Sequence, residues 1–385
     1  MKVQAVLLSL IVAAAGVARA QSIELPEPWG VNAVGHARID LTDSTRRETR
    51  GEAAGGHRRV VVQIWYPGRG PVRRAMPYMD SATAAVWGSS HRLPAGFERR
   101  VLTHAQRDLP MIDSLGALPV LLFSHGRSWP VQTYQAMLQD LASRGWLVVA
   151  MSHPYDEAAT TFADGSVARF DPERWENETE RGVVLNRSVD VLVRDAAFVL
   201  ETLGRWNAQR QHRFFGRIDL DKIGYFGHSL GGAAAVQALH RLPALRAAAT
   251  IEGSVYDTTA RPFRVTKPVL SIIGGYNRAE LGLRDYLAAP GGVLYEAIVH
   301  GAWHASFADL LLVYGAFAPR AWHASHRREL APARVNQITT DYLDAFFARY
   351  LRGETSQLLR PHSDPELGSY TTSGYPEVEL RIVAG

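Results

Sequence analysis

The chain has 385 residues, 46% of them apolar, with 42 Lys and Arg set against 38 Asp and Glu for a formal net charge of +4. That balance suits a packed core, argues against a disordered chain, and leaves no electrostatic footprint for nucleic acid. Cysteine is absent, which excludes thiol nucleophiles, thiolate metal sites, disulfides and lipid attachment through a cysteine.

At the amino terminus, Lys2 precedes an apolar and small-residue run from Ala5 to Val17, followed by Ala18-Arg19-Ala20. A charged start, a short apolar stretch and an A-x-A site predict a secretory signal peptide over residues 1–20. The run falls short of the roughly 20 apolar residues of a spanning helix, so no stable membrane anchor is expected. Lys2 and Arg19 leave with the signal, so the mature charge falls from +4 to +2. The mature protein is expected in the periplasm or outside the cell. Residues 21–385 are read as a single α/β domain. Lys222 and Lys267 are its only lysines, and this use of arginine, unclustered, reads as composition and not as phosphate recognition.

Apolar runs bounded by turn residues predict eight strands, at 31–41, 59–66, 119–124, 146–152, 222–227, 247–252, 268–274 and 293–299. Helical patterns at 131–144, 186–206, 230–241 and 279–288 alternate with the later strands, as in a mostly parallel sheet with helices on both faces. The first two strands have no helix between them and are expected to pair antiparallel at one edge. Segments 67–116 and 153–184 break the alternation and are read as insertions near the carboxyl ends of strands, where open α/β sheets form their ligand sites. No internal repeat is evident.

The most informative stretch is Ile223-Gly224-Tyr225-Phe226 followed by Gly227-His228-Ser229-Leu230-Gly231 and the helical run from Gly232 to Leu239. G-x-S-x-G between a buried strand and a helix predicts a strained turn that exposes the Ser229 hydroxyl beside helix N–H groups. Ser229 is therefore the expected nucleophile, and His228, pointing elsewhere, is given no catalytic role. An oxyanion pocket needs two N–H donors. Leu230 supplies one; Arg127, in Ser124-His125-Gly126-Arg127 after the third strand, supplies the other.

The general base should follow the last strand, where the sequence runs His300-Gly301-Ala302-Trp303-His304-Ala305-Ser306-Phe307-Ala308-Asp309. His304, in mid-loop, is the expected base, with His300 left as a packing or supporting group. A zinc site is a poor reading of this pair, which lacks the H-E-x-x-H glutamate and a third ligand, so no metal or cofactor is expected. For the orienting acid, Asn277 stands where a carboxylate is usual after strand 268–274. Glu252, at the end of strand 247–252, is the better candidate, with Glu280 and Asp257 behind it.

These residues resemble the plasma-type platelet-activating-factor acetylhydrolases and their bacterial relatives. The shared segments are Val34-Gly35, Ile64-Trp65-Tyr66-Pro67, Phe123-Ser124-His125-Gly126, Gly227-His228-Ser229-Leu230-Gly231-Gly232, and Gly301 to Asp309, like that family's G-x-x-H-x-x-F-x-D. The resemblance implies the α/β-hydrolase fold and metal-independent ester hydrolysis, and it implies Glu252 as the acid. The family carries Asp there; the longer Glu requires the backbone to draw back.

The expected function is a secreted serine esterase working through an acyl-enzyme, with short-acyl phospholipid as a substrate suggested by the resemblance. A cutinase-like polyesterase, a lipase, and a hydrolase-like binding protein without catalysis are the alternatives. Trp303 and the apolar run Leu310–Ala318 are read either as contacts for an acyl chain or lipid surface, or as a helix packed on the sheet.

Overall fold

The computed structural model describes residues 22–173, 175–256, 264–276, 292–317 and 329–360, together with 362–364, 369–371 and 374–384. One mixed sheet organises them. Its principal strands are β1 (Ala33–Arg47), β2 (His57–Gly68), β3 (Leu118–Ser124), β4 (Leu147–Ser152), β5 (Ile218–His228), β6 (Leu245–Ile251), β7 (Val269–Gly274), β8 (Val293–Val299) and β9 (Val378–Ala384). The helices are α1 (Ser81–Ser90), α2 (Gln135–Ser143), α3 (Glu178–Ala208), α4 (Leu230–Arg241), α5 (Leu310–Phe317) and α6 (Pro332–Phe347).

All eight predicted strands lie in this sheet, which has twelve strands among the described residues. β9 closes one side antiparallel to β8 and is followed outward by short strands at Ser369–Thr371 and His362–Asp364. Ala105–Arg107 adds a parallel edge to β1 on the other side. From β8 through β7, β6, β5 and β3 to β4 every pairing is parallel, and β2 and β1 then run antiparallel as expected. Chain order reverses about β3, which has β4 on one side and β5 on the other. Loops leaving β3 and β5 diverge there, and this divergence opens the crevice in which doubly wound sheets bind ligands.

The continuous apolar character of the central strands follows from burial on both faces. Leu121 and Phe123 of β3 pack with Met137 and Leu141 of α2 and with Phe346 and Phe347 of α6. Val120 and Leu122, pointing the opposite way, pack with Leu192 and Val199 of α3 and Val236 of α4. Each such fully buried side chain contributes roughly 1.5–3 kcal/mol.

The insertions acquire structure of their own. The first holds α1, capped by Asp80, which accepts a 2.9 Å bond from the Thr83 N–H. In the second, Ala159–Thr161 and Val167–Arg169 form a small antiparallel hairpin. Residues 178–184 are the start of α3 and no part of an insertion, because Asn177 caps the helix there and accepts from the Glu180 N–H at 2.9 Å. The helix predicted at 279–288, the signal segment 1–20, and the alternative acids Asp257 and Glu280 lie outside the described residues.

Candidate active site

Ser229 sits between β5 and α4 with φ 52° and ψ −116°, a conformation that a non-glycine residue holds only at a cost of order 1–3 kcal/mol. The surroundings enforce it. Its N–H donates to Ile251 O at 2.8 Å, tying the turn to the end of β6. A Cβ on Gly227 would lie 2.3 Å from the Gly231 carbonyl carbon, and one on Gly231 2.1 Å from Ser124 O. The two flanking glycines are thus steric requirements, and the turn drives the hydroxyl outward at the start of α4, whose first N–H groups have no intrahelical acceptor.

Across the crevice, β3 ends in a tight turn in which the Trp129 N–H donates to Gly126 O at 3.0 Å. Ser128 has φ 63°, and its N–H donates to Asp156 O at 2.7 Å. The Arg127 N–H has no protein acceptor among the described residues, which leaves it available for an oxyanion. An ideal Cβ at Gly126 would stand 3.5 Å from Ser229 Cβ, so the turn lies directly on the nucleophile. The turn that carries Arg127 therefore lies beside Ser229, which Leu230 follows at the start of α4.

His304 opens a short 3-10 turn after β8 and is 40% exposed; its Nδ1 lies 3.5 Å from Glu252 Oε2. That separation is within ion-pair range and longer than a formed charge-assisted hydrogen bond. Glu252 is buried at the end of β6 with φ 51°. Its other oxygen accepts from the Gly274 N–H, and its own N–H donates to Ile272 O at 2.9 Å. The end of β7 thus anchors the carboxylate.

The motif's final residue, Asp309, is fully buried and accepts from the Ala136 N–H at 3.3 and 3.4 Å, covering the start of α2. Its own N–H donates to Thr133 O at 2.6 Å. The loop that carries His304 is thereby pinned to the helix that follows the oxyanion turn. Burial pushes the Asp309 carboxyl well above the usual carboxylate range.

His228 has a role that sequence reasoning missed. The Gly126 N–H donates to Tyr134 Oη at 3.1 Å, and Tyr134 Oη lies 2.8 Å from His228 Nδ1. Nε2 of His228 is 2.9 Å from the His304 carbonyl oxygen. Because that carbonyl can only accept, Nε2 carries the proton and Nδ1 accepts from the tyrosine. The imidazole links the Gly126 turn to the His304 loop. Burial, reinforced by the neighbouring His304 ring 4.5 Å away, holds its pKa well below the ordinary value and keeps it neutral.

A second Ser-His-Asp constellation lies beneath the crevice. His153 Nε2 is 2.8 Å from Ser124 Oγ, and His153 Nδ1 is 2.8 Å from Asp195 Oδ2. Its geometry is tighter than that at Ser229, yet Ser124, His153 and Asp195 all have no more than 0% exposure, so no substrate reaches it. Ser124 Oγ is also 2.6 Å from Tyr225 Oη, and Asp195 is paired with Arg58 at 2.7 Å. Burial raises an isolated carboxyl, but Arg58 and His153 outweigh it and hold Asp195 far below the usual range. This constellation is structural: it fastens β3, β4, β5 and α3 together below the oxyanion turn.

Trp303 is half-buried, and its Nε1 donates to Glu329 Oε2 at 2.9 Å. It packs with Leu310, Leu311 and Val313 of α5 against Trp87 of α1, Phe97 and Val101. The apolar run thus forms a helix, but it packs against the first insertion instead of the sheet. The His300 ring turns toward Glu379 of β9, at 3.7 Å. A cleft of about 320 Å³ bordered by Arg59, Tyr155 and Phe162 lies apart, with neither Ser229 nor His304 in its lining. No helix among the described residues is long and apolar enough to cross a membrane.

Residues 98–196 match the family described as platelet-activating factor acetylhydrolase, isoform II. A probable 1-alkyl-2-acetylglycerophosphocholine esterase of Arthroderma benhamiae is 25% identical over 251 residues, 61% of this chain and 60% of that protein. The platelet-activating factor acetylhydrolase of Canis lupus familiaris is 31% identical over 140 residues, 31% of this chain and 32% of that protein. The match thus spans 60% of the fungal relative's length and about a third of the mammalian one's. Among solved structures, a ferulic acid esterase from Streptomyces cinnamoneus superposes with a TM-score of 0.70 at 25% identity, covering 92% of this chain and 99% of that one.

Proposed function

We propose that this chain, a platelet-activating-factor-acetylhydrolase-like α/β-hydrolase by sequence and fold, is a secreted serine carboxylic-ester hydrolase formed by one catalytic domain. The observation that carries the reading is the convergence on one crevice of a strained, outward-facing Ser229 and a His304 whose Nδ1 faces the buried Glu252 at 3.5 Å.

With Nδ1 directed to Glu252, His304 Nε2 is the nitrogen that accepts the Ser229 proton as Oγ attacks the ester carbonyl. The N–H groups of Leu230 and Arg127 hold the resulting oxyanion, each contributing on the order of 3 kcal/mol in the transition state. Collapse breaks the C–O bond, and the departing alkoxide takes the proton from His304. Water then attacks the acyl-enzyme, gives its proton to His304, and releases the acid as the proton returns to Ser229. Glu252 orients the imidazole and steadies the imidazolium at both steps.

The sequence relatives favour a short acyl group on a phospholipid as the ester cleaved. The ferulic acid esterase, similar over nearly its whole chain, supports a second reading, an ester of an aromatic acid. The test of the shared mechanism is pre-steady-state hydrolysis of 4-nitrophenyl acetate. A burst of nitrophenol stoichiometric with enzyme is expected from wild type and absent from Ser229→Ala and His304→Ala; a well-folded wild type that releases no nitrophenol overturns the reading and favours a hydrolase-like binding protein.

A further inference from the structure

The oxyanion turn presents a cation that nothing in the reaction above uses. Arg127 is half-buried, and its guanidinium carbon lies 4.8 Å from the centre of the Phe170 ring and 5.1 Å from that of Trp175, both contributed by the second insertion. Two aromatic faces fix the orientation of the guanidinium and strip much of its water. They do not neutralise it.

The nearby carboxylates are already committed to other cations. Asp156 is held by both terminal nitrogens of Arg50, one at 2.9 Å. Glu173 pairs with Arg187 at 2.6 Å. Arg127 itself forms no ion pair among the described residues, and its Nε is buried without a hydrogen-bond partner. Burial weakens its hold on its proton, and Asp156 and Glu173 only partly compensate. A buried donor without a partner costs about 1–3 kcal/mol, and a guanidinium fork matches the two oxygens of a carboxylate or phosphate.

Arg127 is also fixed with respect to the reacting atoms. Gly126, its neighbour, packs on Ser229, and the Ser128 and Trp129 N–H bonds hold the turn on either side. An anionic group bound by this side chain would therefore be held beside the turn that packs on Ser229.

Resting on the esterase reading, we infer that the Arg127 side chain is a specificity-determining anion site, selecting esters that carry a carboxylate or phosphate group close to the scissile bond. The test compares kcat/KM for matched anionic and neutral esters with wild type, Arg127→Gln, Arg127→Met and Arg127→Lys. One pair is 4-nitrophenyl hemisuccinate against 4-nitrophenyl methyl succinate; the other is dibutyrylglycerol phosphate against tributyrin.

Wild type is expected to prefer the anionic member of at least one pair by about tenfold or more. The ratio should fall toward unity in the Gln and Met variants and persist in part in the Lys variant. Preference in the first pair alone identifies a carboxylate, and in the second alone a phosphate. In wild type the preference should also shrink as salt is raised to about 0.5 M, a readout that survives if the Gln and Met variants fail to fold. No preference in wild type, or a ratio unchanged in both variants, overturns the inference while leaving the esterase reading intact. If no ester of either pair is cleaved and nitrophenol is not released from the acetate ester, the esterase reading itself has failed.

Discussion

Two non-glycine residues of the crevice, Ser229 and Glu252, have φ near +50°, and both are held there by backbone bonds to neighbouring strands. Strain at those positions is the cost of presenting a hydroxyl and a carboxylate at adjacent strand ends. Glu252→Gln should therefore fold normally and lose on the order of 10²–10⁴-fold in kcat, since a neutral amide neither fixes the His304 tautomer nor stabilises the imidazolium; stopped-flow or steady-state ester hydrolysis reads this directly. Tyr134→Phe tests the link through His228. It leaves the Gly126 N–H and His228 Nδ1 unpaired, so a loss of about 1–3 kcal/mol in stability is expected. A fall of up to about 100-fold in kcat with KM nearly constant should accompany it if His228 positions the His304 backbone; equal changes in kcat of neighbouring stability-matched core variants would show that the link is only packing.

At the scale of elements, α4 occupies 230–241 as predicted, because the G-x-S-x-G turn fixes its start and the apolar period its length. The strands at 119–124, 268–274 and 293–299 also lie within a residue of expectation. β9 and α6 were legible and overlooked: Val378-Glu379-Leu380-Arg381-Ile382 alternates, and Val335, Ile338, Tyr342, Leu343 and Phe346 follow helical spacing. The start of α3 was also signalled, by Asn177 followed three residues later by Glu180. By contrast α1, Ser-Ala-Thr-Ala-Ala-Val-Trp-Gly-Ser-Ser, has no amphipathic period to detect. The buried group Arg58, Ser124, His153 and Asp195 left no local trace either, because its members are far apart in sequence and meet only through the sheet. It makes a sharp prediction nonetheless. Asp195→Ala leaves the buried Arg58 with Glu48 as its one remaining carboxylate and takes the acceptor from His153 Nδ1; it should cost roughly 3–5 kcal/mol by denaturant unfolding, far more than Asp309→Asn, which keeps a neutral acceptor over α2 and should cost less than about 1.5 kcal/mol.

For the whole molecule, the buried histidines set the response to acid. Burial, with Arg107 adding to it, pushes His36 down to about 3; burial and His153 do the same to His125; and His228 is likewise held well below its usual value. Below pH about 6.5 the unfolded chain takes up a proton at each position that the native fold refuses. Stability is therefore full above that pH and declines as the pH falls toward 3, by about 1.4 kcal/mol per pH unit for each histidine once the unfolded form is protonated. Denaturant unfolding at pH 7.5 and 5 should reveal the loss, and His36→Gln should reduce the slope by about one proton; equal stability at the two pH values would contradict the assignment of these residues as buried and neutral. His125 and His228 adjoin the turns after β3 and β5, whereas His36 lies on β1 toward the sheet edge, so the first two should couple the loss of activity to the loss of stability at low pH.

Among the described residues two Ser-His-carboxylate arrangements occur, and of these Ser229 is expected to be the reactive one. Treating the folded protein with a fluorophosphonate probe and mapping the modified peptide decides the matter. Labelling of Ser229 is predicted, persisting in Ser124→Ala and vanishing in Ser229→Ala and His304→Ala. Labelling of Ser124, or none on folded wild-type protein, would contradict it.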